Sequence, residues 1–149
     1  MRKALSNGQS DSARVLTLSY LIAELSENEK TDAYSYLEQA DKLANRLNND
    51  FLIGEVYRHA AHYELYKQKD YATALKYIKK CIWHQEHIKS YESLIHTYTF
   101  LAREIFEKAD MVEETMEAMK KAAEFAALAR KGDNAYQLYV LGWYEANHY

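Results

Sequence analysis

Two pairs of histidines are the first candidates for chemistry in this chain of 149 residues. His59 and His62 are three residues apart, and so are His84 and His87. On a helix this spacing brings both imidazoles of a pair to one face, where they could ligate zinc. No carboxylate or cysteine is clearly placed to complete either set. We therefore interpret these histidines as polar-face or helix-end residues, and we predict no metal and no cofactor.

Cys81 and His84 have the same spacing, which superficially suggests a nucleophile and its base. The sequence has no HExxH, glycine-rich phosphate loop, GxSxG or CxxC motif that would support such chemistry. A small cysteine on the apolar face of a helix is more simply a packed core residue. We therefore predict that the protein is not an enzyme.

The composition indicates a helical protein without a nucleic-acid footprint. Proline is absent, glycine occurs four times, and 48% of the residues are hydrophobic. So few helix breakers favour an all-α fold. The net charge is −3, and the one basic aromatic segment, KKCIWHQEHIK, is typical of a solvated helix face, so we expect no nucleic-acid binding.

The length predicts one domain, spanning residues 1–149. No apolar run is long enough to cross a bilayer, so we expect no membrane insertion by this segment. The single cysteine fits a reducing compartment. We predict a cytoplasmic location, although a domain excised from a membrane-anchored sensor would look the same.

The elements that position these residues repeat at an offset of 41 residues, which places Ala33, Ala74 and Thr115 in one column. Further columns keep their size or polarity, with few exceptions: Ala40, Cys81 and Ala122; Leu37, Ile78 and Met119; Leu47, Ile88 and Ala129; Leu16, Tyr57, Tyr98 and Tyr139; Tyr20, Ala61, Ala102 and Trp143. A fixed period of about 20–50 residues is the signature of a repeat architecture. The small columns should let paired helices approach closely.

Each period contains two helices, so the protein should form seven. The predicted repeats are about 11–49, 50–89, 90–132 and a partial 133–149. The first helices of the pairs are predicted at 12–26, 51–67, 91–108 and 134–147, and the second helices at 32–47, 71–88 and 111–131. Aspartates stand where N-caps are wanted, at Asp50, Asp70, Asp110 and Asp133.

The segment YKQKDYATALKYIKKCI resembles the second helix of a tetratricopeptide repeat and the turn before it. The matching residues are Lys69-Asp70-Tyr71, Ala74-Leu75, Tyr77-Ile78 and Cys81-Ile82. The period resembles the longer variety found in bacterial sensor kinases and transcription regulators. The resemblance implies a right-handed superhelix of antiparallel helix pairs, with about three and a half repeats. It also implies a non-catalytic module that binds a protein or peptide within a bacterial signalling or regulatory protein.

In that family the first helices of the pairs form a concave wall that contacts the partner. The matching inward positions here are Arg14, Arg58, His62, Thr99, Arg103 and Tyr144, and His96 lies at the groove entrance. A shift of one residue in the helical phase would instead bring in His59, Tyr63 and Tyr66. The arginines and histidines would make the groove basic, which favours an acidic peptide or the C-terminal segment of a partner protein. The alternative is that the arginines pair with helix glutamates, such as Glu24, Glu64 and Glu104, and only solvate the surface.

The last predicted helix, residues 134–149, is apolar nearly all round and has no partner helix. A helix of this kind is normally buried. One interpretation is a C-terminal capping helix, although such a helix should have a polar outer face. The alternatives are that the natural protein extends further, or that this end forms a homodimer through Tyr136, Val140, Leu141 and Trp143. Two alternatives to peptide binding therefore stay open. One is a self-associating scaffold, and the other is a domain whose peptide ligand gates a separate output domain.

Overall fold

The computed structural model describes residues 10–129 and, beyond them, Val140, Gly142, Trp143, Ala146 and Asn147. Within those residues the ordered elements are helices and no strand occurs, which confirms the all-α prediction. Six α-helices are defined: α1 (Asp11–Glu24), α2 (Lys30–Arg46), α3 (Asp50–Tyr63), α4 (Tyr71–His87), α5 (Tyr91–Phe100) and α6 (Val112–Ala129). The five separate residues are helical too, but most of the predicted seventh helix lies outside the described part.

Contacts group the protein, predicted to be one domain, into two compact units that adjoin in sequence at Ile88 and Lys89. Unit 1 contains α1 to α4, and unit 2 contains α5, α6 and the residues after them. In unit 1, α3 packs against α1, α2 and α4, and α1 packs against α2. The connections between successive helices of unit 1 are short. In unit 2, α5 packs against α6.

Small residues of the repeat pack where the helices meet. Ala33, Ala40, Ala74 and Cys81 are buried in unit 1, as are Thr115, Met119 and Ala122 in unit 2. The larger residues Val15, Leu18, Leu52 and Val56 fill the core of unit 1 around Ala40 and Cys81. The predicted burial of the small-residue columns is confirmed. A small side chain at these positions leaves room for the neighbouring helix.

Two residues of the repeated columns are exposed instead of packed. Tyr20 lies on the surface, where its ring meets the imidazole of His59 edge-on at 4.8 Å. Ile88 is exposed because α4 ends at His87, so Ile88 already belongs to the turn. The repeat therefore predicts burial for most of these positions, with one exception inside α1 and one just after the end of α4.

The N-caps differ partly from the prediction. The Asp70 carboxylate accepts from the Thr73 amide at 3.0 Å, as predicted for a cap. At α3 the cap is Asn49, whose side chain accepts from the Leu52 amide. Asp50 is therefore the first helical residue, not the cap. Asp110 has φ of 58° and belongs to a turn before α6, so it does not cap that helix; Asp133 lies outside the described residues.

Two helices end in wider, π-helical turns. These turns are Glu64–Gln68 after α3 and Leu101–Phe106 after α5. Lys69 follows the first of them with φ of 58°, in the left-handed region that glycine adopts most easily. This geometry brings the end of α3 against the loop between α1 and α2, where the Tyr63 hydroxyl donates to the Ser26 carbonyl at 2.9 Å.

Candidate functional site

A groove of about 340 Å³ runs between α1 and α2 in unit 1. We call it the α1–α2 groove. Its lining is mixed, with three cationic side chains, one carboxylate, one amide and two leucines. The lining residues are Asp11, Arg14, Leu18, Gln39, Lys42, Leu43 and Arg46.

Helical spacing places these residues on facing sides of the two helices. Asp11, Arg14 and Leu18 follow one another at intervals of three and four residues along α1. The residues from α2 lie at 39, 42, 43 and 46, which is again one face of a helix. Leu18 is fully buried and Leu43 is half-buried, so together they give the groove an apolar floor.

Cations dominate the electrostatics of the groove. Arg46 approaches Asp11 at 3.7 Å, and Lys42 pairs with Glu38 at 2.9 Å. Both pairs are largely exposed to solvent, so each contributes only about 0–1 kcal/mol and can exchange partners. The Arg14 guanidinium makes no ion pair with any described residue, which leaves its donors free for a ligand.

The other two residues predicted for the concave wall in unit 1, Arg58 and His62, contact residues of the same helix or of the turn that follows it. Arg58 holds Glu55 with two hydrogen bonds, Nε to Oε1 at 3.2 Å and Nη2 to Oε2 at 2.8 Å. This intrahelical pairing is the alternative expected for the arginines, although the partner is Glu55 and not one of the glutamates named above. His62 is half-buried and lies edge-on to the ring of Tyr66 at 5.6 Å.

In unit 2 the predicted residues differ in exposure. Thr99 is only 6% exposed, and its hydroxyl donates to the Ile95 carbonyl at 2.7 Å, so little of it is open to a partner. His96 and Arg103 are exposed, and Arg103 comes within 3.9 Å of Glu107. Tyr144 lies outside the described residues. Whether these side chains share a binding surface stays a prediction.

The residues predicted for self-association also differ from one another in exposure. Val140 is 0% exposed, so its side chain is buried within the protein and has no surface for a second subunit. Trp143 is half-buried and lines a pocket of about 210 Å³ with residues at the start of α6, including Met111, Val112 and Met116. Tyr136 and Leu141 lie outside the described residues.

Neither histidine pair is arranged for metal binding. His59 is buried, and its Nδ1 is 2.8 Å from the Glu55 carbonyl; burial lowers the pKa of this imidazole. His84 and His87 converge on Asp50, with Nδ1 to carboxylate distances of 2.7 and 2.8 Å. Each imidazole is held by a different oxygen of Asp50, so the Nδ1 atoms of both histidines are engaged in hydrogen bonds within the protein.

The described residues also lack two other features. They contain no group of three or more histidine, cysteine, aspartate or glutamate side chains that could hold a metal ion. Cys81 is buried. None of the helices there has both the length and the apolar character needed to cross a bilayer.

The cationic residues of α2 were missing from the predicted concave wall. The predicted wall takes every contact position from the first helix of each pair, and it therefore omits Lys42 and Arg46. Their spacing from Gln39 was a usable signal, because it places all three on one face opposite Arg14. What the spacing could not supply was the rotation of α2 about its axis.

The sequence matches no known protein-family model and no curated protein, and the structure matches no solved structure.

Proposed function

We propose that the protein is a non-catalytic binding module whose α1–α2 groove receives an acidic segment or the C-terminus of a partner protein. The observation that carries this proposal is the unpaired Arg14 guanidinium beside an apolar floor. A guanidinium can hold a carboxylate with two parallel hydrogen bonds, which gives both energy and orientation.

Charge complementarity selects the occupant. The groove has three cations against one carboxylate, in a protein whose net charge is −3. An acidic segment would replace the exposed ion pairs of Lys42 and Arg46 with its own carboxylates. The apolar floor formed by Leu18 and Leu43 favours a segment that also carries an aliphatic side chain.

The groove can be tested with labelled peptides of about ten residues. One peptide would carry a leucine, several glutamates and a free C-terminal carboxylate; a second would be amidated; a third would have lysines in place of the glutamates. Fluorescence anisotropy should show saturable binding of the first, weaker binding of the second and none of the third. Binding should weaken as salt is raised, because the interacting charges are near the surface.

Arg14→Gln should weaken binding of the acidic peptide about tenfold or more, since a hydrogen bond to a charged group contributes about 1.5–3 kcal/mol. Lys79→Gln is the matched control, because it removes one exposed positive charge from α4 outside the groove. Equal affinities for Arg14→Gln and the parent, or equal binding of the lysine peptide, would reject the proposal.

Self-association is the second candidate, favoured by the pocket that Trp143 shares with Met111 and Val112. Val112 is 66% exposed and Met111 is exposed too, so this end of unit 2 presents apolar surface. A second copy of the protein would cover it. Sedimentation velocity should show a dimer for the parent and a monomer for Val112→Asp. A parent that stays monomeric at high concentration would remove this candidate.

The wider setting stays a prediction. The tetratricopeptide resemblance, the right-handed superhelix of about three and a half repeats and the place in a bacterial regulatory protein come from sequence likeness. So does the peptide-gated alternative. The cytoplasmic location and the absence of enzyme activity likewise remain expectations from the residues.

A further inference from the structure

A carboxylate is buried without a partner at the end of α3. Glu64 is the first residue of the π-helical turn, and it is 1% exposed. Neither of its carboxylate oxygens has a hydrogen-bond partner among the described residues. Burying an unpaired charge is costly, so such a group is either neutralised by a proton or completed by a cation.

The groups that act on Glu64 come from two helices. Tyr34 and Lys30 belong to α2, Tyr77 to α4, and Asp70 to the cap of α4. Burial raises the pKa of the Glu64 carboxyl; the Tyr34 hydroxyl opposes the rise, Asp70 adds to it, and Lys30 opposes it. Tyr34 is therefore near enough to favour the charged form, although neither Glu64 oxygen has a partner within hydrogen-bonding distance and angle.

Two tyrosines interact with this carboxylate. Burial raises the pKa of both Tyr34 and Tyr77, and the charge of Glu64 raises it further in each case. Tyr77 is half-buried, whereas Tyr34 is 38% exposed. Tyr34 is therefore the more exposed of the two tyrosines that act on Glu64. Aromatic rings beside a carboxylate suit a cation, because the ring face and the carboxylate both attract positive charge.

The protein already places one of its own cations on this ring. The Lys30 ammonium lies 5.4 Å from the centroid of Tyr34. It makes no ion pair with Glu64, however, and so leaves the buried oxygens without a donor. The Tyr34 ring therefore already attracts one cation, while the Glu64 carboxylate stays without one.

We propose that Glu64, Tyr34 and Tyr77 form a receptor for the ammonium or guanidinium head of a ligand. The head group comes from a lysine or arginine side chain of a partner or from a free small amine. Its N–H donors supply the partners that both Glu64 oxygens lack. A divalent metal is a poorer occupant, because it needs several oxygen ligands, and no described group of three or more such residues can hold one.

The experiment follows the carboxyl carbon of Glu64 by NMR in the full-length protein labelled with ¹³C-glutamate. Glu64→Gln identifies the resonance. The probes are n-butylguanidinium and n-butylammonium, with neutral n-butylurea as the control, titrated between about pH 6 and pH 9. Both cations should move the Glu64 resonance saturably, and butylurea should not. Tyr34→Ala should weaken the binding several-fold.

Chemical shifts of backbone amides around Tyr34 give an affinity for variants that lack the carboxylate. Glu64→Gln should bind the cations at least tenfold more weakly than the parent, and Glu38→Gln, an exposed glutamate on α2, should bind like the parent. Equal binding by Glu64→Gln would overturn the proposal. The proposal would also be overturned if the Glu64 carboxyl stayed protonated up to about pH 9. The same holds if the carboxyl were ionised and its resonance did not move with either cation.

A short glycine-rich peptide with one central arginine separates the two sources. Tighter binding of the peptide than of butylguanidinium assigns the site to a partner side chain, and equal or weaker binding assigns it to a small amine. Arg14→Gln should leave all of these affinities unchanged. Failure of this proposal and failure of the α1–α2 groove are therefore distinguishable.

Discussion

The carboxylate of Asp50 is shared by two imidazoles from another helix. His84 and His87 each donate through Nδ1, and together they tie the start of α3 to the end of α4. The hydrogen bond from His84 is the main cause of the lowered pKa of Asp50. Trp83 packs over the same histidines, with ring centroids 4.8 and 5.2 Å from theirs. A sequence spacing that suggested metal ligands is thus used for a structural link.

Asp50→Asn should destabilise the protein by about 1–3 kcal/mol near pH 7, because an amide can accept from one imidazole but opposes the other with its own donors. A lowered folded-state pKa contributes stability above the ordinary value of 3.8, and that stability is lost as the pH falls through the folded-state pKa. The difference in unfolding free energy between parent and variant should therefore shrink at acid pH.

Urea denaturation monitored by circular dichroism, repeated across this pH range, measures the difference. Asp32→Asn is the matched control, since Asp32 also lies in the first turn of a helix but is exposed. Asp32→Asn should lower the free energy of unfolding less than Asp50→Asn does. A difference for Asp50→Asn that stays constant down to about pH 2 would contradict the role given to its charge.

Glu64 should show the opposite dependence on pH. Its folded-state pKa is raised above the ordinary value of 4.5, so its contribution is present below that value and is lost as the pH rises through the folded-state pKa. Without ligand, Glu64→Gln should match the parent at acid pH and exceed its stability by at least about 1 kcal/mol near pH 8. Thermal unfolding of the parent and of Glu64→Gln at both pH values measures this difference. If Glu64→Gln is less stable than the parent at pH 8, Glu64 is not an unpaired buried charge.

At the scale of elements, the ends of the helices depart most from their ideal form. Non-glycine residues with positive φ follow four of the helices or their π-helical extensions: Asn48, Lys69, Lys89 and Asp110. The left-handed conformation costs most L-residues about 1–2 kcal/mol; glycine avoids this cost, and asparagine and aspartate tolerate the conformation better than lysine does. These connections therefore store strain that the packed helices must offset.

Lys69→Gly should stabilise unit 1 by up to about 1 kcal/mol, because glycine adopts φ of 58° without a steric cost. Lys79→Gly, an exposed position inside α4, is the control and should destabilise by about 1 kcal/mol. The comparison is made by urea denaturation of both variants beside the parent. If Lys69→Gly lowers the free energy of unfolding as much as Lys79→Gly does, then the left-handed conformation of Lys69 does not cost the protein stability.

At the scale of the whole molecule, unit 1 has a core of its own. Buried residues of α1 to α3, with Cys81 of α4, form one cluster, and Ile22, Leu25, Ala33 and Tyr63 form a second cluster towards the end of α3. The α1–α2 groove and the Glu64 receptor both belong to this unit. Both proposed binding sites should therefore be present in unit 1 alone.

A fragment of residues 1–88 should fold by itself. It should have a helical circular dichroism spectrum and a cooperative urea transition, since the packing of α3 against α1, α2 and α4 is complete within it. A fragment ending at Lys76 is the control, because it loses Ile78, Cys81 and Ile82 from the face of α4 that packs inward. An unfolded 1–88 fragment would show that the unit depends on the rest of the protein.

The sequence by itself determined the helices, most of their bounds in the described part and the small residues at their contacts. These properties are local: a lack of proline, a period along the helix and a repeat of 41 residues specify which face of each helix is apolar. Ala74 and Cys81 could be assigned to the core for this reason. The cap at Asp70 was also predictable, because it bonds an amide three residues away.

Only the tertiary structure decided which polar groups meet. Asp50 and His84 are 34 residues apart in sequence, and the groove combines Arg14 of α1 with Lys42 and Arg46 of α2. Such contacts depend on the rotation of each helix about its axis and on wider turns such as Glu64–Gln68. A hydrogen bond tolerates a deviation of only a few tenths of an ångström, whereas hydrophobic periodicity defines a face to within roughly a quarter of a turn.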